Sequence, residues 1–144
     1  MSDRLVTVIS GSFRKHLSQL YILRDELEAR RVDVLSPIGS AAINEGEEFI
    51  ILDNDPIEDH RTLQDAVFAK IRRSSFLTVC NIDGYIGKAA TLEIGYAIAH
   101  GLQVLTWEPA DDPNIAAYSR TLEQVFGPEL IEAVKTRYHH AHHR

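Results

Sequence analysis

A glutamate at position 93 stands early in a segment that reads as a helix, behind a loop with two glycines. The stretch runs Asn81-Ile82-Asp83-Gly84-Tyr85-Ile86-Gly87-Lys88-Ala89-Ala90-Thr91-Leu92-Glu93-Ile94-Gly95-Tyr96-Ala97. A carboxylate in the first two turns of a helix lies near the positive end of its dipole, which favours the ionised form. An ionised, positioned carboxylate is the nucleophile that covalent attack on an anomeric carbon needs. A glutamate that only complements the dipole is the competing explanation. Gly95 falls inside the same helix, where glycine costs about 1 kcal/mol relative to alanine. Its presence predicts that another backbone or a ligand comes close.

A second candidate is Ser10-Gly11-Ser12-Phe13-Arg14. Gly11 lets the chain turn tightly and approach a ligand. The helix that follows offers free N–H groups to a phosphate or a sugar hydroxyl, and Arg14 would add a charged clamp. The pattern is neither a Walker loop nor a G-x-G-x-x-G fingerprint. A strand-to-helix turn with Ser12 as N-cap also accounts for it.

The elements that must hold these residues follow from periodicity. Leu5 to Ser10 is a β-branched run, read as a buried strand. Ser12 to Arg31 reads as a helix with Leu17, Leu20, Tyr21 and Leu27 near one face. Val32 to Leu35 is a short strand stopped by Ser36-Pro37. Gly39 to Glu48 reads as a loop, Phe49 to Leu52 as a short extra strand, and Asp53 to Pro56 as a turn. Glu58 to Arg73 is a helix, with Leu63, Ala66, Val67 and Ile71 facing inward. Phe76 to Cys80 is a strand and Asn81 to Gly87 a loop. Lys88 to His100 is a helix that buries Ala90, Ile94, Ala97 and Ile98 and is closed by Gly101. Leu102 to Trp107 is a strand, and Tyr118 to Phe126 and Glu129 to Tyr138 are helical pieces. Strands alternating with helices predict βαβ units and a parallel sheet. The expectation is one α/β domain over residues 1–144, a flavodoxin-like doubly wound parallel sheet in three layers. Ligands of such sheets sit beyond the carboxyl ends of the strands, where strand order reverses. That location selects the Gly11 and Asn81–Gly87 loops.

The stretch from Asp83 to Ala97 resembles the signature of the nucleoside 2-deoxyribosyltransferase family, carried here by Gly87, Thr91, Glu93, Ile94, Gly95, Tyr96 and Ala97. The resemblance extends to the Gly11-Ser12-Phe13-Arg14 loop and to the order of elements from Leu5 to Trp107. The same superfamily includes nucleoside 5′-monophosphate N-glycosidases, which use water in place of a second base. The resemblance places the nucleophile on Glu93 and the upstream acidic residue on Asp83, with Tyr85 holding the carboxylate or the sugar. It assigns substrate contacts to Gly11, Ser12, Phe13, Arg14, Gly87, Lys88 and Thr91. It implies a nucleoside or nucleotide substrate, double displacement through a glycosyl-Glu93 intermediate, and no metal or cofactor. Asp83 would give the departing base its proton. A homo-oligomer with sites near subunit interfaces is implied as well. One departure stands out. The family carries an Asp immediately before the central strand, where this chain has Ser74-Ser75. The contact near the base is then absent, or comes from Asp53, Asp55 or Asp59.

The composition narrows the alternatives. The 144 residues carry a formal net charge of −6, which argues against a nucleic-acid polymer as partner. Cys80 is the single cysteine. With no signal-like start and no apolar run of membrane-spanning length, it predicts a cytoplasmic protein without a membrane partner. Asp53, Asp55, Glu58 and Asp59 suit a turn and a helix start better than a metal. His139, His140, His142 and His143 read as a solvated, fraying tail. Cys80 reads as core, and Trp107 as packing against the C-terminal helices or a partner subunit. Two other functions remain open at this point. One is a nucleotide-binding sensor without turnover, favoured by Ser75. The other is a phosphoribohydrolase with Arg14 and Lys88 on the phosphate.

Overall fold

A computed structural model of the protein describes residues 4–11, 13–37 and 59–142, without the side chains of Phe13, Arg14 and His142. Five parallel strands form one sheet: β1 (Leu5–Gly11), β2 (Val32–Val34), β3 (Phe76–Cys80), β4 (Gln103–Thr106) and β5 (Ser119–Thr121), in the order β2-β1-β3-β4-β5. Among the described residues six α-helices accompany them: α1 (Phe13–Ala29), α2 (His60–Arg72), α3 (Lys88–Ala99), α4 (Pro113–Ala116), α5 (Leu122–Phe126) and α6 (Pro128–His142). The result is the expected three-layer, flavodoxin-like α/β fold.

Alternation along the strands builds the layers. Successive side chains of a strand leave on opposite faces. Ile9, Phe76, Cys80 and Leu105 point one way and meet α1, α5 and α6 through Leu20, Leu23, Leu27, Leu122, Leu130 and Val134. Val8, Leu77, Val79 and Val104 point the other way and meet α2 and α3 through Ile71, Ile94 and Ala97. All five residues of β3 are buried, as a central parallel strand covered on both faces requires. Cys80 belongs to this core, and burial pushes its thiol up to about 12. Trp107 also packs there, beside the residues of α5 and α6. Two buried threonines satisfy one another: the Thr7 and Thr78 hydroxyls lie 2.9 Å apart, and Thr7 Oγ1 also donates to the Phe76 carbonyl at 2.8 Å.

Three expected elements come out differently. The region from Tyr118 to Phe126 is not one helix. Ser119–Thr121 pairs with Val104–Thr106 as an edge strand, and Thr121 then caps α5 through a reciprocal pair with Gln124. The buried stripe of α1 uses Leu20, Leu23 and Leu27, with Leu17 and Tyr21 only half-buried, because the backbone breaks helical geometry at His16 (φ −132°, ψ 32°). The C-terminal helix continues through the histidines to His142 rather than fraying before them. The expected loop, strand and turn over 39–56 lie outside the described residues.

Candidate functional site

The strand order reverses between β1 and β3, the neighbours whose onward connections run to opposite sides of the sheet. Their register sets Ser10 beside Val79 and Gly11 beside Cys80 at the carboxyl ends. Gly11 is needed for this approach: a Cβ there would lie 3.1 Å from both the Cys80 Cβ and its carbonyl oxygen. Ser10 follows Val8 onto the face covered by α2 and α3, and it is buried.

At this point three elements meet on one carboxylate. Ser10 Oγ donates to Glu93 Oε1 at 2.6 Å, and Gln64 Nε2 donates to Glu93 Oε2 at 2.9 Å. Gln64 comes from the first turns of α2, which Asp59 starts by accepting from the Thr62 N–H. Glu93 comes from the second turn of α3, whose N-cap is Gly87. Each carboxylate oxygen therefore has its own donor from a different element. Such a group cannot rotate freely, and one edge of it is fixed against the end of β1.

The electrostatic expectation for Glu93 is corrected here. Burial holds its carboxyl above the ordinary value of 4.5, against the lowering effect of the bonds from Ser10 and Gln64. Two causes explain why the helix dipole does not prevail. Its influence fades within the first turn, and Glu93 lies in the second. Both described donors are neutral, so removal from water dominates.

A second cluster lies in the adjoining loops. Asn81 ties the ends of β3 and β4 together: its Nδ2 donates to the Glu108 carbonyl at 2.9 Å, and its Oδ1 accepts from the Glu108 N–H at 3.0 Å. The chain then makes a single 3-10 turn, Ile82–Gly84. Asp83 takes the left-handed conformation (φ 59°), and its N–H donates to Glu108 Oε2 at 2.6 Å. The Tyr85 ring lies by Gly87 at the start of α3, with Lys15 Nζ 3.9 Å above its centroid. The first turn of α1 and the first turn of α3 are thus bridged by an aromatic ring. His16 stands in the same first turn of α1, where the Asp83 charge reaches it.

The structure sorts the sequence-derived candidates. Glu93 sits at the reversal point. The described partners of its carboxylate are Ser10 and Gln64, so the grip assigned to Tyr85 belongs to them. Asp83 makes its described bond to Glu108. Gly11 serves strand contact. Thr91 Oγ1 donates to the Gly87 carbonyl at 2.8 Å and closes its own helix, and it is exposed, as is Lys88. Gly95 is exposed, and among the described residues nothing lies within 4 Å of where its Cβ would be. The close approach expected there is not made by them, because its face of α3 points away from the sheet. Ser12, the side chains of Phe13 and Arg14, and Asp53 and Asp55 lie outside the described residues. Asp59 serves as a helix cap. Ser75 extends β1 pairing instead of reaching a ligand: its N–H donates to the Val6 carbonyl at 2.7 Å, and its Oγ accepts from the Val6 N–H at 3.0 Å. Among the described residues no group of three or more His, Cys, Asp or Glu side chains could hold a metal.

Gln64 is a functional candidate that sequence reasoning missed, and Ser10, which opened the second candidate stretch, was given no role toward Glu93. Gln64 lies 29 residues from Glu93, and Ser10 lies 83 away. Gln64 had no local signal. Ser10 had a weak one, as the first polar residue at the carboxyl end of a buried strand.

No family model matches the chain, and no curated protein matches it. Among solved structures it is similar to the crystal structure of a conserved protein from Enterococcus faecalis V583, at 16% identity and a TM-score of 0.58. The match covers 93% of this chain and 99% of that one. That likeness establishes the fold. Among the described residues no helix is long and apolar enough to cross a membrane.

Proposed function

We propose that the protein cleaves or exchanges the N-glycosidic bond of a nucleoside or nucleoside 5′-monophosphate, with Glu93 as nucleophile. The observation that carries this reading is the two-point hold on the Glu93 carboxylate, by Ser10 and Gln64, at the carboxyl ends of β1 and β3. Nucleophilic carboxylates need fixed aim more than basicity, because reacting atoms must be held near attack distance. In the first half-reaction a Glu93 oxygen forms a bond to C1′ while the C1′–N bond breaks and its electron pair leaves with the base. In the second, water or another base attacks C1′ and the electron pair returns to Glu93. As charge leaves the carboxylate, the Ser10 and Gln64 bonds weaken. As it returns, they strengthen, which favours Glu93 as leaving group in the second step. The resemblance of Gly87 to Ala97 to the nucleoside 2-deoxyribosyltransferases supports the substrate class.

A second reading, a nucleotide sensor without turnover, draws on the burial that raises the Glu93 carboxyl. A carboxyl kept neutral donates a hydrogen bond and does not attack carbon. The two readings separate in one experiment. Wild type and Glu93→Gln are incubated with ribo- and deoxyribonucleosides and their 5′-monophosphates, with and without an acceptor base, and the products are resolved chromatographically. Base release by wild type alone is the expected result. Equal binding by both proteins with no release by either overturns the enzyme reading in favour of the sensor.

A further inference from the structure

The loop between β3 and α3 crosses the end of the sheet. Ile82 packs into the layer of α1, α5 and α6, whereas Ile86 packs into the layer of α2 and α3. Between them the chain turns over through two successive left-handed residues, Asp83 (φ 59°) and Gly84 (φ 77°). Gly84 adopts that conformation freely; Asp83 carries a Cβ and does so at a cost. Such a residue persists only where its surroundings over-determine it. The Gly84 and Tyr85 N–H groups return to the Asn81 and Ile82 carbonyls. The Asp83 N–H goes to Glu108 Oε2 at 2.6 Å. Glu108, two residues beyond β4, is itself fixed, because the buried Asn81 side chain bonds both its N–H and its carbonyl. From the same segment Asp111 lies over Gly84, where a Cβ would come 3.2 Å from Asp111 Oδ2.

What this crossing decides is where α3 begins. The N-cap of α3 is Gly87, which offers no capping side chain, and the first turn holds no acidic residue. Burial of Ala90, Ile94 and Ala97 presses the helix onto the sheet, but that force has no direction along the helix axis. The start of α3 is therefore set by the loop that leads into it. Glu93 lies in the second turn of the same helix, so a shift of the start carries to the carboxylate that meets Ser10 Oγ at 2.6 Å and Gln64 Nε2 at 2.9 Å. Resting on the reading of Glu93 as nucleophile, we propose that Glu108 is a positioning residue of the reaction: it holds the Asp83–Gly84 crossing and thereby sets the aim of Glu93. This deepens that reading by extending the hold on the nucleophile beyond its two direct donors. The strand order allows it, since β3 lies between β1 and β4. Ser10 approaches from the β1 side, and Glu108 acts from the β4 side through the loop above β3. In this role Glu108 touches no reacting atom and carries no proton.

Geometry can be separated from general damage by rescue and by coupling. Base release from ribo- and deoxyribonucleosides and their 5′-monophosphates is measured for wild type, Glu108→Gln, Glu108→Asp and Glu108→Ala, each also combined with Ser10→Ala. Thermal melts and amide hydrogen exchange accompany the kinetics. Glu108→Gln keeps an acceptor oxygen at the same reach and is expected to stay within a few-fold of wild type. Glu108→Ala is expected to lose roughly 10- to 10²-fold in kcat, with KM changed far less, and to lose protection of the Asp83 amide. Glu108→Asp, one methylene short of that amide, falls between them and carries the test if the alanine variant does not fold. On Ser10→Ala the loss shrinks to a few-fold, because both residues act on the aim of one carboxylate. A loss undiminished on Ser10→Ala, a Gln variant as poor as the Ala variant, or shortened and truncated variants as fast as wild type overturns the assignment of Glu108 and leaves Glu93 untouched. If wild type releases base from none of the compounds, the reading of Glu93 falls and takes this inference with it.

Discussion

Two half-buried glutamates lie on opposite faces of the sheet, and their surroundings could hardly differ more. Glu26, on α1, is met by two cations: Arg30 one turn on, at 2.8 Å, and Arg137 of α6, at 2.9 Å. The hydrogen bonds from these guanidinium groups, Arg30 first, hold its carboxyl below the ordinary value. Glu93, on α3, is met by a hydroxyl and an amide, and burial holds its carboxyl above that value. The Glu26 cluster is satisfied and joins α1 to α6. The Glu93 cluster fixes the position of its carboxyl through two neutral donors and brings no opposite charge to it among the described residues. Compensation by arginine suits a carboxylate that ties two helices together, and under the proposed function the neutral donors at a strand end leave Glu93 available to react.

The contrast can be broken most sharply at Glu93. Glu93→Gln is expected to lose base release by roughly 10⁴-fold or more in single-turnover measurements, while Glu26→Gln leaves it unchanged. Comparable losses in both variants would abolish the distinction. Removing one of the two neutral donors comes next. Ser10→Ala or Gln64→Ala leaves the carboxylate in place but frees its aim, and a loss of roughly 10²-fold in kcat is expected. The double variant should lose less than the product of the two single losses, since both act on one group.

The stability effects are smaller and opposite in sign. Because folding raises the Glu93 carboxyl, wild-type stability falls as pH climbs above 4.5 through the folded-state value. Glu93→Gln avoids that loss. Its amide can accept from Gln64 and donate to Ser10, whose hydroxyl accepts as readily as it donates. A gain on the order of 1 kcal/mol at neutral pH is expected, shrinking to nothing below pH 4.5 in parallel denaturant titrations. Glu26 behaves in reverse. Its folded-state carboxyl is lowered, so its contribution is present above 4.5 and fades as pH falls through the folded-state value. Glu26→Gln or Arg137→Ala should cost roughly 0.2–1 kcal/mol at neutral pH, because Arg137 is 46% exposed and screened by water. A Glu93→Gln gain that persisted in acid would break the comparison.

Most of the sheet was legible because its signals are local. The buried run of Phe76–Cys80 matches the predicted strand, and the amphipathic pattern ending at Gly101 gives α3 to within a residue. β5 was illegible for a physical reason. Three residues, Ser119–Thr121, are too few to show alternation, and none of them is buried. Pairing with β4 makes them a strand, and no property of their own does so. The break in α1 was hidden as well, since the sequence around His16 contains neither glycine nor proline.

The candidate site divides along the same line. By itself the sequence determined that Glu93 would lie early in a helix following a central strand, because capping, periodicity and turn chemistry act over a few residues. It could not determine that Ser10 and Gln64 would close on that carboxylate. Those pairings join residues separated by 29 to 83 positions and exist only once strands and helices have docked. The upward shift of the Glu93 carboxyl was decided there too. A helix terminus alone favours the carboxylate anion, but docking α2 and α3 onto the sheet removes the water that would stabilise it, and desolvation outweighs a fading dipole.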